Sequence, residues 1–461
     1  MDLTEVNDAR AWPATPKRVL YDMSFTVLSG KMSGIERVVR SLAETARCED
    51  SVPHSSQVEF VPIFAFEGRF YRLDSRAEES LSRAAKLEHN CLENMPALYR
   101  WSATCLCRVI ALTTVRRALL PPSGHLGIFK SWHRRYKRRA LRRASAGQVP
   151  VEPSADDIVW LPDAYWAHPA VWASVDHARQ NGAMISMLFY DLIPLRDGAK
   201  NKGFSDYLLQ MLAKSHLILC ISDCERRNLL EFQSLHGGTD RGCPEMRTIT
   251  LGCEISSGHG IVRPQFERPF ANSTAGQSPT YVCVATFDPR KNHGLLLDAF
   301  DALWRQGHDV CLCLIGRVGW QCCDILQRIA EHGELGKRLF VFHDASDAEV
   351  NFCYQQARAI ITASKDEGFG LPIVESLARG KTILASDIPI HREVGGSACH
   401  FFDSTDAASL STLIRQCQAN RLARLSATDA DMQAPKIQTW QACFNQCWGD
   451  LLVAFKTART G

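Results

Sequence analysis

The chain has 461 residues, 46% of them hydrophobic and 22% charged, with a formal net charge of +3. That length exceeds one hydrophobic core and asks for two or three domains, and the balance excludes a disordered or fibrous chain. No run of about 18 apolar residues occurs, and the acidic start MDLTEVNDAR lacks the apolar stretch of an export signal.

A cytoplasmic protein is therefore expected, its eighteen cysteines reduced, since no CxxC pair is present. The CxxxC pairs Cys220/Cys224 and Cys443/Cys447 have no histidine at metal-ligand spacing and read as core residues.

In chain order, RVLYDMS reads as a first strand running into a loop with Gly30, Lys31 and Gly34, then a helix from about Ile35. VEFVPIFAF, DIVWLPD, AMISMLFYD and HLILCISD each read as a strand followed by a polar loop, and RTITLGCEI as the last strand of this half. Residues 76–150 exceed a simple crossover and read as an insertion. Within them KSWHRRYKRRALRR, from Lys130 to Arg143, has eight cations in fourteen positions, with Trp132, Tyr136 and Leu141 interleaved. Such a helix suits an anionic membrane surface; a solvated basic face is the plainer alternative, and no nucleic-acid module accompanies it.

Residues 256–278, rich in Gly, Ser, Pro and Asn, read as a linker. Beyond it YVCVATF, HGLLLDAFDALW, VCLCLIG, a helix from Asp324, LFVF and ARAIITAS alternate strand and helix, the rhythm of a parallel sheet covered on both faces. Asp347 reads as the N-cap of the helix before ARAIITAS. The Asp429/Asp431 pair lies in a polar stretch and is not read as a metal site.

ARAIITAS-KDEGFG-LPIVESLARG is a strand, a glycine-bearing loop and a helix. Pro372 fits the first helical position and Gly380 the left-handed stop. The loop thus lies at the carboxyl end of a strand, where open α/β sheets bind ligands. The N–H groups after Gly368 suit an anion. Glu367 in the loop and Glu375 one turn into the helix can then face hydroxyls on either side of it. A nucleotide sugar meets that demand, with sugar hydroxyls, a diphosphate and ribose hydroxyls in sequence.

At these residues the chain resembles the retaining glycosyltransferases of family 4. EGFGLPIVESLARGKTILASDIPIHREVGG looks like their donor-binding region, through Glu367, Gly368, Phe369, Gly370, Leu371 and Glu375. TFDPRKNHGLLLDAF resembles their phosphate-binding segment, which implies that Lys291 neutralises the diphosphate with help from Arg290. LIGRVGW resembles the next turn, with Gly316 close to the nucleoside. In the first half Gly34 matches a glycine near the donor phosphate. FYDLIPLRDG resembles the acceptor-side segment, with Tyr190 where a histidine often stands, beside Asp191; an arginine found upstream of the lysine in some relatives is replaced by Thr286 and Phe287.

The resemblance implies a GT-B fold: two doubly wound, Rossmann-like α/β domains facing a cleft, an acceptor-side domain over residues 1–262 and a donor-binding domain over 279–436. The helix within 437–461, with Trp440, Phe444, Trp448 and Leu451 on one face, would cross back to the first domain. It also implies transfer of a hexose, with mannose from GDP-mannose favoured, to a hydroxyl of a growing lipid-linked oligosaccharide, with retention and without metal or other cofactor. Glu367 and Lys291 would act at the reacting centre, and no general base is assigned. A non-catalytic sugar-nucleotide-binding or scaffold subunit is the alternative from another class; a GT-B epimerase or phosphorylase lies nearer.

Overall fold

The structure, a computed structural model, describes residues 15–29, 34–48, 58–93, 127–196, 202–236, 243–253, 260–271, 278–422 and 437–458. Gly30, Lys31, the middle of the insertion and the Asp429/Asp431 pair lie outside the described residues.

The first sheet is built from β1 (Arg18–Asp22), β2 (Glu59–Phe66), β3 (Arg69–Arg72), β4 (Asp157–Leu161), β5 (Met184–Phe189), β6 (Leu217–Cys220) and β7 (Glu245–Thr248). Their spatial order is β3-β2-β1-β4-β5-β6-β7, parallel except for the β2–β3 hairpin. Around it lie α1 (Ser24–Ser29), α2 (Gly34–Arg47), α3 (Ser75–Glu93), α4 (Gly127–Ser145), α5 (Val171–Gln180), α6 (Ile193–Arg196), α7 (Lys202–Lys214) and α8 (Asp223–His236).

The second sheet runs β10-β9-β8-β11-β12-β13 and is wholly parallel. Its strands are β8 (Thr280–Val284), β9 (Cys311–Ile315), β10 (Leu339–Phe342), β11 (Ala359–Thr362), β12 (Ile383–Ser386) and β13 (Cys399–Phe402). The helices are α9 (His293–Arg305), α10 (Cys323–Ala330), α11 (Asp347–Gln356), α12 (Leu371–Leu377), α13 (Pro389–Gly395) and α14 (Ala407–Gln418). Strands such as LILC and CLCLI are buried at every position, as sheets covered on both faces require.

The last helix, α15 (Trp440–Thr457), buries Trp440, Phe444, Trp448 and Leu451. It packs on α2 of the first domain, and Phe444 lies 6.3 Å from Phe60 and 6.5 Å from Trp160, centroid to centroid. At its start Cys253 N–H donates to the Gln438 carbonyl at 2.8 Å, so the chain leaving β7 is tied to the chain entering α15. Among the described residues no helix is long and apolar enough to cross a membrane.

Several local expectations are corrected. The segment after β1, read as a loop, opens with α1. The Asp22 carboxylate accepts the Ser24 N–H at 2.8 Å and Asp163 accepts the Thr26 N–H at 2.7 Å, so tertiary partners satisfy its free first turn. The N-cap of α11 is Ser346 rather than Asp347: Ser346 and Glu349 form a reciprocal capping box. Pro372 is the second residue of α12, after Leu371. The final strand of the first half is Glu245–Thr248, shorter and earlier than RTITLGCEI.

The linker reading also fails in part. Pro264–Phe266 and Arg268–Phe270 are short 3₁₀ turns whose Phe266 and Phe270 are buried under the second sheet, Phe266 stacking on Phe342 at 4.1 Å. Two aromatics spaced four apart are enough to anchor a segment with no other apolar period.

Candidate functional site

Both sheets reverse direction at an inner pair of strands: β1 and β4 in the first, β8 and β11 in the second. Loops leaving such a pair at their carboxyl ends diverge to opposite faces and leave a crevice between them. In the second domain the loop after β8 carries Arg290 and Lys291, and the loop after β11 carries Glu367. They meet in that crevice.

Arg290 and Lys291 sit on a 3₁₀ turn, Pro289–Lys291, capped by the Asp288 side chain, which accepts the Arg290 and Lys291 N–H groups at 3.0 and 3.2 Å. Lys365 N–H donates to the Arg290 carbonyl at 2.8 Å and so joins the two loops. The Glu367 carboxylate is then surrounded. It pairs with Lys291 Nζ, and it accepts Arg290 Nη1 at 2.9 Å and Ser364 Oγ at 2.7 Å. Burial opposes its ionisation, but Lys291 and Arg290 outweigh burial and hold it well below the usual carboxylate range. Glu367 is therefore an anion fixed between two cations.

Glu375, on α12, is also buried. Arg37 of α2 pairs with its Oε1 at 2.5 Å, and Tyr354 of α11 donates to Oε2 at 2.9 Å. Between the two glutamates the EGFGL segment turns. Gly370 adopts a left-handed conformation, φ 92°, Phe369 is buried, and Leu371 is partly buried against the same apolar cluster.

Across the cleft, Tyr190 and Asp191 follow β5. The Tyr190 hydroxyl donates to the Pro162 carbonyl at 2.7 Å and is buried, so the expected substrate-orienting hydroxyl is turned into its own domain. What faces the donor loop is the backbone: a Cβ on Gly368 would come within 2.9 Å of the Tyr190 carbonyl oxygen. The Asp191 carboxylate accepts the Ile193 N–H at 3.0 Å. Burial pushes it up to about 6, against the opposing pull of Arg290.

The two domains are joined around this site. Ser222 Oγ donates to the Gly368 carbonyl at 3.0 Å, Arg196 pairs with Asp366 at 2.7 Å and with Glu225, and Glu393 accepts the Asp223 and Cys224 N–H groups at the start of α8. Gly34 opens α2, and a Cβ there would meet nothing within 4 Å. Gly316 has a reason to be glycine within the protein itself. A Cβ there would lie 1.8 Å from the Ala285 carbonyl oxygen, so the neighbouring loop after β8 already occupies the space.

Residues not singled out from the sequence complete the site. His391 on α13 is fully buried, its Nδ1 within 3.0 Å of the Ser386 carbonyl, its Nε2 without a hydrogen-bond partner and close to Gly370. Burial lowers it to about 4, so it is neutral near pH 7. His293, stacked on Phe287 at 4.3 Å, is lowered to about 4 for the same reason. Ser364 and Tyr354 orient the two glutamates. His391 lies inside the quoted donor motif, but a lone histidine in a short helix carries no signal of where its ring points. Among the described residues no group of three or more His, Cys, Asp or Glu could hold a metal ion.

Two doubly wound domains, a cleft between their strand ends, and a last helix that packs on the first domain define a GT-B protein. Solved structures agree in fold: Anabaena HepE in complex with UDP and glucose aligns at TM-score 0.55 and 12% identity, over 94% of this chain and 99% of that one. Trehalose-6-phosphate synthase OtsA aligns at TM-score 0.56 and 12% identity, over 95% and 99%. More particularly, residues 265–431 match the family model for glycosyl transferases group 1.

Among curated proteins, the serotype-specific mannosyltransferase WbdA of Escherichia coli is 25% identical over 277 residues, 58% of this chain and 34% of that protein. The O-antigen chain mannosyltransferase B of E. coli is 27% identical over 241 residues, 52% of this chain and 61% of that protein. The matched region thus spans about a third of the first of these relatives.

Proposed function

We propose that the chain is a retaining glycosyltransferase that moves a hexose, mannose from GDP-mannose in preference, to a hydroxyl of a growing lipid-linked oligosaccharide. The observation that carries the reading is Glu367 held between Lys291 and Arg290 at the β8/β11 crevice, with Glu375 eight residues on and facing the same cleft. The preference for mannose draws on the mannosyltransferase relatives.

On this reading, departure of the nucleoside diphosphate leaves negative charge on its phosphates as the sugar–oxygen bond breaks. Lys291 and Arg290 stand where that charge grows, and they stabilise the transition state more than the bound donor. The diphosphate competes with Glu367 for the two cations, which frees the carboxylate to accept hydrogen bonds from the transferred sugar. The leaving phosphate takes the acceptor's proton, so no side chain is assigned as general base. Gly34, Gly368, Phe369, Gly370 and Leu371 would line the donor, with Gly316 close to the nucleoside, and Asp191 would lie on the acceptor side.

The basic helix α4 gives this activity a place at an anionic membrane. Arg138 and Arg142 pair with Glu67, while Arg139 and Arg143 join Arg76 and Arg83 around an open groove of about 470 Å³ between α3 and α4. Cosedimentation with vesicles containing anionic lipid, and not with neutral ones, is the expected result.

A thermal-shift panel of GDP, UDP, TDP and ADP tests the donor site. A nucleotide at about 100 times its Kd stabilises by about 2.7 kcal/mol, and the shift should vanish in Lys291→Ala. Sugar transfer to an added acceptor then separates the enzyme from a scaffold subunit that binds sugar nucleotide without turnover.

A further inference from the structure

Glu375 is held from both domains at once. Its side chain is 8% exposed, and it reaches into the cleft beside the first turn of α2. Tyr354, which donates to Oε2, belongs to the second domain and is itself fixed. Arg379 lies over the Tyr354 ring, 5.0 Å from its centroid, and donates to the Glu375 carbonyl at 2.7 Å. Arg37, which donates to Oε1, is among the described residues the one contact to this carboxylate from the first domain. It stands three residues after Gly34, in the first turn of α2.

The arithmetic of acceptors makes this arrangement informative. An ionised carboxylate has about four acceptor sites, and Arg37 and Tyr354 use one on each oxygen. Among the described residues no other group donates to it, which leaves one site per oxygen, as a vicinal diol donating two hydrogen bonds requires. The Arg37 side chain is 44% exposed, and it reaches Glu375 from the other domain rather than from within one core. The bond therefore forms only when the two domains stand at this separation, and a wider cleft would leave Glu375 held by Tyr354 alone.

We propose that Arg37 is a positioning residue for nucleotide binding: it reaches across the cleft to hold Glu375 in the orientation that receives the nucleoside's ribose diol, and so links domain closure to donor affinity. This rests on the donor-site reading above. Arg37 acts through Glu375, so its removal weakens donor binding and leaves the chemical step alone.

The test is a double-mutant cycle on the full chain, with GDP as probe, or UDP where GDP does not bind. Arg37→Ala should raise the Kd about tenfold, the scale of one charge-assisted hydrogen bond, and Arg37→Lys should recover part of that loss. In Glu375→Ala, the further change Arg37→Ala should cost less than threefold, because the residue it positions is gone. In transfer assays Arg37→Ala should raise KM with kcat within about threefold of the parent. Losses that multiply in the double variant, a Kd unchanged by Arg37→Ala, or a fall in kcat at constant KM would each overturn the proposal. Should the parent bind none of the four nucleotides, the donor-site reading fails and takes this proposal with it; should the parent bind while the cycle is additive, only the role of Arg37 fails. The unliganded melting temperature of each variant, which falls where a buried carboxylate loses its cation, separates a binding effect from a folding defect.

Discussion

Lys291 and Glu367, seventy-six positions apart in the chain, form an ion pair at the point where the loops after β8 and β11 diverge, with Arg290 on the other carboxylate oxygen at 2.9 Å. Both side chains of the pair are largely buried, 13% and 10% exposed. Removing one member leaves the other charged and poorly solvated, which costs more than the intact pair contributes. Lys291→Ala should therefore destabilise the unliganded protein by about 1–3 kcal/mol, since Arg290 and Ser364 still serve the carboxylate. Lys291→Ala with Glu367→Gln should recover part of that loss. Denaturant midpoints of the three proteins check both statements.

Gly316 meets the Ala285 carbonyl so closely that no side-chain rearrangement can make room, because the obstructing atom is backbone. Gly316→Ala should cost about 3 kcal/mol, at the upper end for overpacking, and lower the midpoint of thermal unfolding accordingly. Gly34→Ala, with nothing within 4 Å of the added carbon, should change stability by less than about 1 kcal/mol. The contrast between the two glycines is readable in a single unfolding series.

Phe444 is buried, stacks against Trp448 at 5.8 Å and reaches Phe60 and Trp160 of the first domain. Phe444→Ala opens a cavity where α15 meets that domain and should cost about 3–5 kcal/mol. Limited proteolysis should then cut near residues 437–439 sooner than in the parent. An unchanged digestion pattern would mean that α15 is held by its other contacts.

Asp22 is buried, and burial raises its carboxyl from 3.8 to about 7 despite the bonds it accepts from Ser24 and Tyr165. The folded protein keeps this proton where the unfolded chain has lost it. The stability it contributes is complete below the unfolded value and is lost as pH rises toward about 7. Asp163, raised to about 6 by burial, titrates in the same window. Melting temperature against pH should fall less steeply between about 4 and 7 in Asp22→Asn than in the parent, and the slope should not vanish while Asp163 remains.

The resemblance of EGFGLPIVES and DPRKN to a donor site was legible because it is local: strand, glycine-bearing loop and helix follow one another within thirty residues, and each names its neighbours. Glu367, Lys291 and Arg290 do meet. The partners of Glu375 were not legible, because Arg37 lies 338 positions away in another domain and looks, in GIERVVR, like any exposed cation on a helix face. Tyr190 illustrates the converse. Its place after a strand was readable, yet the direction of its hydroxyl depends on the Pro162 carbonyl, which only the pairing of β4 with β5 brings alongside.

The amino-acid sequence by itself determined the two parallel α/β halves, the apolar face of the last helix and the presence of two glutamates at a strand's carboxyl end. Period and local turn chemistry act over a few residues and need no knowledge of the rest. Only the tertiary structure decided that α1 would form against Asp22 and Asp163, that Phe266 and Phe270 would anchor an otherwise featureless segment, and that Glu375 would be shared between two domains. Each of these depends on charges or rings brought together by the order of strands in a sheet, and strand order is set by burial summed over the whole chain rather than by any stretch of it.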